Sequence, residues 1–156
     1  MATTTAAITL TSADLLTDAL SLSATNTLYK AGTTVGLDQT TGMTKAYLTA
    51  TTQVDIFPVL QDNSSAGPAF AGKSSWVYIC NESEDETEYA IVKVSGNVIG
   101  KLYAGDFMWM PWSMAEDADA GGDNKHADIQ LTPSVATGMW FSWCCINEGT
   151  EYPTSV

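Results

Sequence analysis

The apolar positions of this chain concentrate between Trp76 and Trp112, in runs that turn residues separate. Trp76-Val77-Tyr78-Ile79-Cys80 is a short continuous apolar run, ended by an acidic stretch. Tyr89 to Val94 follows, then Ser95-Gly96-Asn97, a tight turn in which Gly or Asn takes positive φ. Val98 to Tyr103 leads through Ala104-Gly105-Asp106 to Phe107-Met108-Trp109-Met110 and Pro111. Aromatic and β-branched runs of this length, bounded by Gly, Asn and Asp, predict strands of an antiparallel meander.

The first 55 or so residues have another texture, rich in Thr, Ala, Leu and Ser and almost uncharged. Ile8-Thr9-Leu10-Thr11 and Leu20-Ser21-Leu22-Ser23 alternate as strands do. Between them Ser12 is placed to cap a single helical turn over Ser12 to Leu16. Ala31 to Gly42 is Gly- and Thr-rich and predicts a long loop or a loose hairpin, after which Thr44 to Val54 returns to β-type residues. A segment with a weak hydrophobic face and good β propensity suits two roles. It forms the first strands of the body, or it is an arm that pairs with a partner through an exposed edge.

Gln61 to Pro68 is the clearest loop, yet neither side of it alone carries a complete core, so it is not a domain boundary. Ala127 to Pro133 predicts a short strand that Pro133 stops. Gly138 to Ile146 is the closing strand, with Met139, Phe141, Trp143 and Cys145 on one face and Trp140, Ser142 and Cys144 on the other. Tryptophans on both faces imply that neither face is fully wet. The organisation is therefore an N-terminal extended segment or arm with the first strands (1–55), a β-sandwich body (56–150) and a flexible polar tail (151–156).

A length of 156 residues is about one domain, large enough to bury a core without disulfide staples. The net charge of −12 changes the picture more, because all six basic residues are Lys and none is Arg. Arg is the preferred reader of bases and phosphates, and no basic patch is visible, which argues against nucleic acid and against an anionic membrane surface. Cys80 and the vicinal pair Cys144-Cys145 have no metal-binding spacing and read as small apolar residues made in a reducing compartment. Met1 to Thr5 lacks the basic and apolar regions of a secretory leader, and no apolar run approaches membrane-spanning length.

Candidate chemistry is sparse. His126 is the only histidine, so a triad, a Cys-His dyad or a His-based zinc site has little to build with. Nucleophile-elbow, phosphate-loop and dinucleotide fingerprints are absent, and no residues are placed for catalysis. Asp117, Asp119 and Asp123 alternate around Gly121 in a turn, a pattern that can converge on Ca²⁺, although it lacks the glycine position and terminal Glu of an EF-hand loop. The competing reading is a solvated acidic loop, as for Glu82 to Glu88. Trp76, Trp109, Trp112 and Trp140 are the candidate anchors, in the core or at an interface; the last three are also the residues to stack on a sugar ring.

The pattern Val94-x-Gly96-x-x-Ile99-Gly100-x-Leu102-x-x-Gly105-Asp106-Phe107, then Pro111-Trp112, then Asp128-Ile129-x-Leu131-Thr132-Pro133-Ser134, resembles the small β-sandwich accessory proteins of tailed-bacteriophage virions, such as those that decorate the capsid. The likeness covers residues 76–146. It implies an all-β, single-domain β-sandwich of jelly-roll type with roughly eight strands, no catalytic residues and no required cofactor. It also implies a protein of the virion, assembled in the host cytoplasm, that binds the major capsid protein and other virion proteins. A homo-oligomer is expected, a trimer being natural for a capsid surface. The alternative function is a host-surface or glycan-binding module of a fibre or knob, with Ca²⁺ as a possible ligand.

Overall fold

The computed structural model describes residues 3–13, 20–30, 32–49, 53–57, 74–94, 96–112 and 129–148. Within them the protein is all-β, with eleven strands and no helix. The strands are β1 (Thr4–Ser12), β2 (Leu20–Leu28), β3 (Gln39–Thr40), β4 (Thr44–Leu48), β5 (Val54–Phe57), β6 (Ser75–Asn81), β7 (Tyr89–Val94), β8 (Asn97–Tyr103), β9 (Phe107–Pro111), β10 (Ile129–Pro133) and β11 (Met139–Asn147). They form three antiparallel sheets. β1 and β2 pair only with each other, β5-β10-β7-β8 make a four-stranded sheet, and β3-β11-β6-β9 make the third, with β4 also on β11.

The local predictions largely appear where β propensity and turn chemistry are strongest. β7 and β8 form a hairpin around Gly96, whose φ of 77° is a conformation that a side chain resists. Ala104 to Asp106 is likewise a turn, closed by Asp106 N–H donating to the Tyr103 carbonyl and Tyr103 N–H donating to the Asp106 carboxylate. Of the stretch expected as a loop or loose hairpin, the part up to Leu37 folds back on β2, with Tyr29 bridged to Gly36 and Leu37 N–H donating to the Leu28 carbonyl, while Gln39–Thr40 form β3 on β11. Ser12 is not a helix cap: it ends β1, opposite Leu20, and Asp14 to Ala19 lie outside the described residues.

The meander expected over 76–112 is corrected. β6 pairs with β9 and β11, not with β7, and the hairpin β7–β8 belongs to the other sheet. Seven residues, Glu82 to Glu88, separate β6 from β7, too many and too charged for a tight hairpin, so the chain leaves one sheet and enters the other. It returns through the tight turn after β8. Strands of the N-terminal part join the large sheets: β3 and β4 flank β11 and β5 flanks β10.

β11 is the organising strand. Thr41, in the break between β3 and β4, stays locked to it: Cys145 N–H donates to Thr41 Oγ1 at 2.9 Å and Thr41 N–H donates to the Cys145 carbonyl at 3.0 Å. Met139, Phe141 and Cys145 point inward from β11 beside Val77 and Ile79 of β6. They join Ala90, Val92, Leu102, Ile129, Leu131 and Ile56 of the four-stranded sheet in one buried cluster. Both large sheets therefore share one core, and burying these side chains is the main stabilising term.

β1 and β2 stand apart from this core. Their base is anchored where Leu28 and Leu37 are buried, with Leu37 N–H donating to the Leu28 carbonyl at 2.9 Å and Thr4 Oγ1 donating to the Leu37 carbonyl at 2.9 Å.

Candidate functional surface

Strand parity decides which aromatic side chains reach the surface. On β6, Ser75, Val77, Ile79 and Asn81 face the core, so Trp76, Tyr78 and Cys80 face away from it. Register carries the same outer face to Phe107, Trp109 and Pro111 on β9, to Trp140, Ser142, Cys144 and Ile146 on β11, and to Lys45 and Tyr47 on β4. Aromatic pairs run across it. Trp76 stacks on Trp109 with ring centroids 5.4 Å apart, Tyr78 meets Phe107 at 6.0 Å, and Tyr47 meets Trp140 at 5.2 Å. Such pairs in tilted or offset arrangements add to the area term.

The face is only partly covered. Phe107 is 63% exposed and Trp140 46%, while Trp76, Tyr78 and Trp109 are half-buried. Beside it lies an open cleft of about 370 Å³, lined by Thr5 to Leu10 of β1, Leu28, Tyr78, Phe107, Trp109 and Ile146. The cleft separates the β1–β2 ribbon from the aromatic sheet face.

Four tryptophans were the anchors expected from the sequence, and parity divides them. Trp76, Trp109 and Trp140 share the outer face. Trp112, just past β9, turns inward and is a member of the core cluster, and its backbone N–H donates to the Ser75 carbonyl at 2.8 Å. Tyr47, Tyr78 and Phe107 belong to the surface as well. For Tyr78 and Phe107 the signal was available, because each lies two residues from a tryptophan on the same strand. Tyr47 joins only through pairing of β4 with β11, which local pattern does not encode.

The chemistry of the surface is that of contact. Burial, and then the neighbouring Cys80, push the Tyr78 phenol up to about 12, so it stays neutral. Desolvation raises the Cys144 thiol, which keeps it protonated and a poor nucleophile. Among the described residues Lys45 is the one charged residue on the outer face; it pairs with Glu82 at the margin and lies 5.5 Å over the Trp140 ring. Lys45, and then the Ser142 hydroxyl, lower the Glu82 carboxyl below its ordinary value.

The acidic loop after β6 is tied to itself. Asp85 accepts from the Thr87 hydroxyl at 2.7 Å and from Thr87 N–H at 2.9 Å, which lowers its pKa, and the Ser83 hydroxyl donates to Glu88. Among the described residues no three of His, Cys, Asp and Glu gather as a metal-ligating group. Asp117, Asp119 and Asp123, the candidate calcium ligands, lie outside the described residues, as does His126.

The fold and the surface define an all-β protein with an aromatic sheet face and a detached ribbon. No protein-family model, curated protein or solved structure matches the chain.

Proposed function

We propose that this chain is a non-enzymatic structural protein of a tailed-phage virion, a capsid decoration protein that binds the major capsid protein and stabilises the head. Its body is read as a β-sandwich of jelly-roll type, the two large sheets being its layers. The observation that carries the reading is the β1–β2 ribbon. Nine residue pairs hold two strands together outside both large sheets, with Ile8, Leu10 and Leu22 44–48% exposed. A two-stranded hairpin is marginal in water unless its apolar face packs on something. An arm of this kind is suited to gripping another protein, and association in turn stabilises the folded, assembled form. The resemblance of residues 76–146 to virion accessory proteins supplies the identity of the partner.

The test is co-sedimentation of the full chain with heads built from the major capsid protein of the same genome. Binding that is lost on Leu10→Asp, with the near-UV circular dichroism of the body unchanged, supports the reading. Normal binding by that variant, or none by the parent chain, overturns it.

The exposed Tyr47–Trp140 pair favours a second reading, a glycan-binding module of a fibre or knob, since a ring pair at a sheet margin can stack on a sugar. A glycan array with the parent chain and Trp140→Ala, in Ca²⁺ and in chelator, separates the two readings.

A further inference from the structure

Two apolar walls of this chain meet across one cleft. Register puts Ala6, Ile8 and Leu10 of β1 on the same side of the ribbon as Leu22, Ala24 and Leu28 of β2, since Ile8 pairs with Ala24 and Leu10 with Leu22. That side turns toward the body, because Leu28 is buried and Ala6 half-buried while Thr5 and Ala7 are exposed. The cleft of about 370 Å³ has β1 from Thr5 to Leu10 on the ribbon side, and Tyr78, Phe107 and Trp109 on the sheet side. Neither wall is dry: Leu10 is 47% exposed and Phe107 63%.

The ribbon is held at one end. At its root Leu37 N–H donates to the Leu28 carbonyl, Thr4 Oγ1 donates to the Leu37 carbonyl, and Lys30 pairs with Asp38 at 2.6 Å. From Thr5 to Leu10, β1 makes no hydrogen bond to the body among the described residues. Beyond the root, apolar contact is therefore what can hold it to the sheet. Burial fades along it in that order, from Leu28 at 3% exposed to Ile8 at 44%. Closing the cleft would remove apolar area from water on both walls, and a two-stranded hairpin needs such a contact to persist in water. The ribbon is also tethered beside this face, so its effective concentration there exceeds that of a free partner in dilute solution.

We infer that the β1–β2 ribbon is a strap that closes on the aromatic outer face of its own chain and is released when it grips the head. One apolar side serves both contacts, so they exclude each other and follow in turn: stowed against Tyr78, Phe107 and Trp109 in the free chain, engaged with the partner afterwards. This closure rests on the reading of the ribbon as the gripping arm, and adds what occupies the arm before binding. A chain whose ribbon is closed binds with an affinity reduced by the fraction that is open.

The experiment uses the full chain with a photo-crosslinking benzoylphenylalanine in place of Ile8. It is mixed with ¹⁵N-labelled chain, irradiated with and without saturating heads, and mapped by mass spectrometry. Crosslinks from position 8 to peptides of β6 or β9 are expected within one chain, at a yield that dilution does not change, and heads should suppress them. Phe107→Asp, with near-UV circular dichroism unchanged, should lower that yield and tighten head binding at least about threefold, since it frees more of the ribbon. Val98→Asp, the same charge on the exposed part of the other sheet, should change neither. Crosslinks that join two chains, that go to other peptides or that survive saturating heads would overturn the inference. So would head binding that Phe107→Asp leaves unchanged or weakens. Head binding through Leu10 with no crosslink to β6 or β9 would refute the strap and leave the decoration role standing. Those crosslinks in a chain that binds no heads would refute the decoration role and keep the closure.

Discussion

The side-chain amide of Asn81, at the end of β6, donates to the carbonyl of Leu102 on β8 at 3.1 Å and so ties the two large sheets together at the edge of their shared core. Asn81 is fully buried, and each of its polar groups is used. Its Oδ1 accepts from Ser83 N–H, its N–H donates to the Asp106 carbonyl, and its carbonyl accepts from Gly105 N–H. The acidic loop and the turn after β8 are both held by this one residue, at the place where the chain changes sheets.

Asn81→Leu is therefore expected to destabilise the protein by about 2–3 kcal/mol, because the Leu102 carbonyl and Ser83 N–H lose their partner in a site closed to water. Asn81→Asp should cost more at neutral pH, where a buried carboxylate faces a carbonyl oxygen. The buried acid's pKa is raised in the folded state, so stability should recover as the pH falls through that raised value toward the ordinary carboxylate value. Urea unfolding of both variants at pH 7 and pH 4 checks the two signs. A cost under about 0.5 kcal/mol for Asn81→Leu would mean that the tie between the sheets lies elsewhere.

Gly138 precedes β11 at φ 102°, and a Cβ there would sit 2.6 Å from Cε1 of Tyr47, whose hydroxyl donates to the Thr137 carbonyl at 2.8 Å. Gly138→Ala should cost about 1–3 kcal/mol from backbone strain and the displaced ring. Adding Tyr47→Ala should restore only the steric part, since the strained φ remains. A double-mutant cycle by thermal unfolding measures the division.

Two phenylalanines separate core from surface. Phe141 is fully buried in the cluster shared by both sheets, and Phe141→Ala should cost about 3–5 kcal/mol. Phe107 is on the outer face, and Phe107→Ala should cost under about 1 kcal/mol in a dilute monomer. The same Phe107 change should matter more for association than for folding. Chemical unfolding and light scattering on the two variants test both halves.

Acid should weaken the fold through lowered carboxylates. Glu82, held down by Lys45 and Ser142, and Asp85, held down by Thr87, bind protons less readily when folded than when unfolded. Their contribution is present above the ordinary Glu and Asp values of 4.5 and 3.8 and is lost as the pH falls through the lower folded values. Both groups face solvent, so the effect is small and screened by salt. Thermal unfolding from pH 7 to pH 3 should show a shallower acid loss in Lys45→Ala than in the parent chain. Equal slopes would assign the acid sensitivity to other carboxylates.

Local signals told much of this structure in advance. The Gly96 turn between β7 and β8 was legible because few residues other than glycine accept its φ. The two faces of β11 were legible because Met139, Phe141, Trp143 and Cys145 alternate with Trp140, Ser142 and Cys144 at the period of a strand. The strand character of β1 and β2 was readable from Ile8-Thr9-Leu10-Thr11 and Leu20-Ser21-Leu22-Ser23. Tertiary structure alone decided that β6 crosses to β9 and β11 while β7 and β8 join β10. Pairing partners are set by long-range packing, which a period of two does not specify. It also decided which side of β6 is wet. Trp76-Val77-Tyr78-Ile79-Cys80 is apolar on both faces, so its sequence names two faces without saying which of them meets the core. The aromatic surface exists because Val77 and Ile79 were taken inward and Trp76 and Tyr78 left outside.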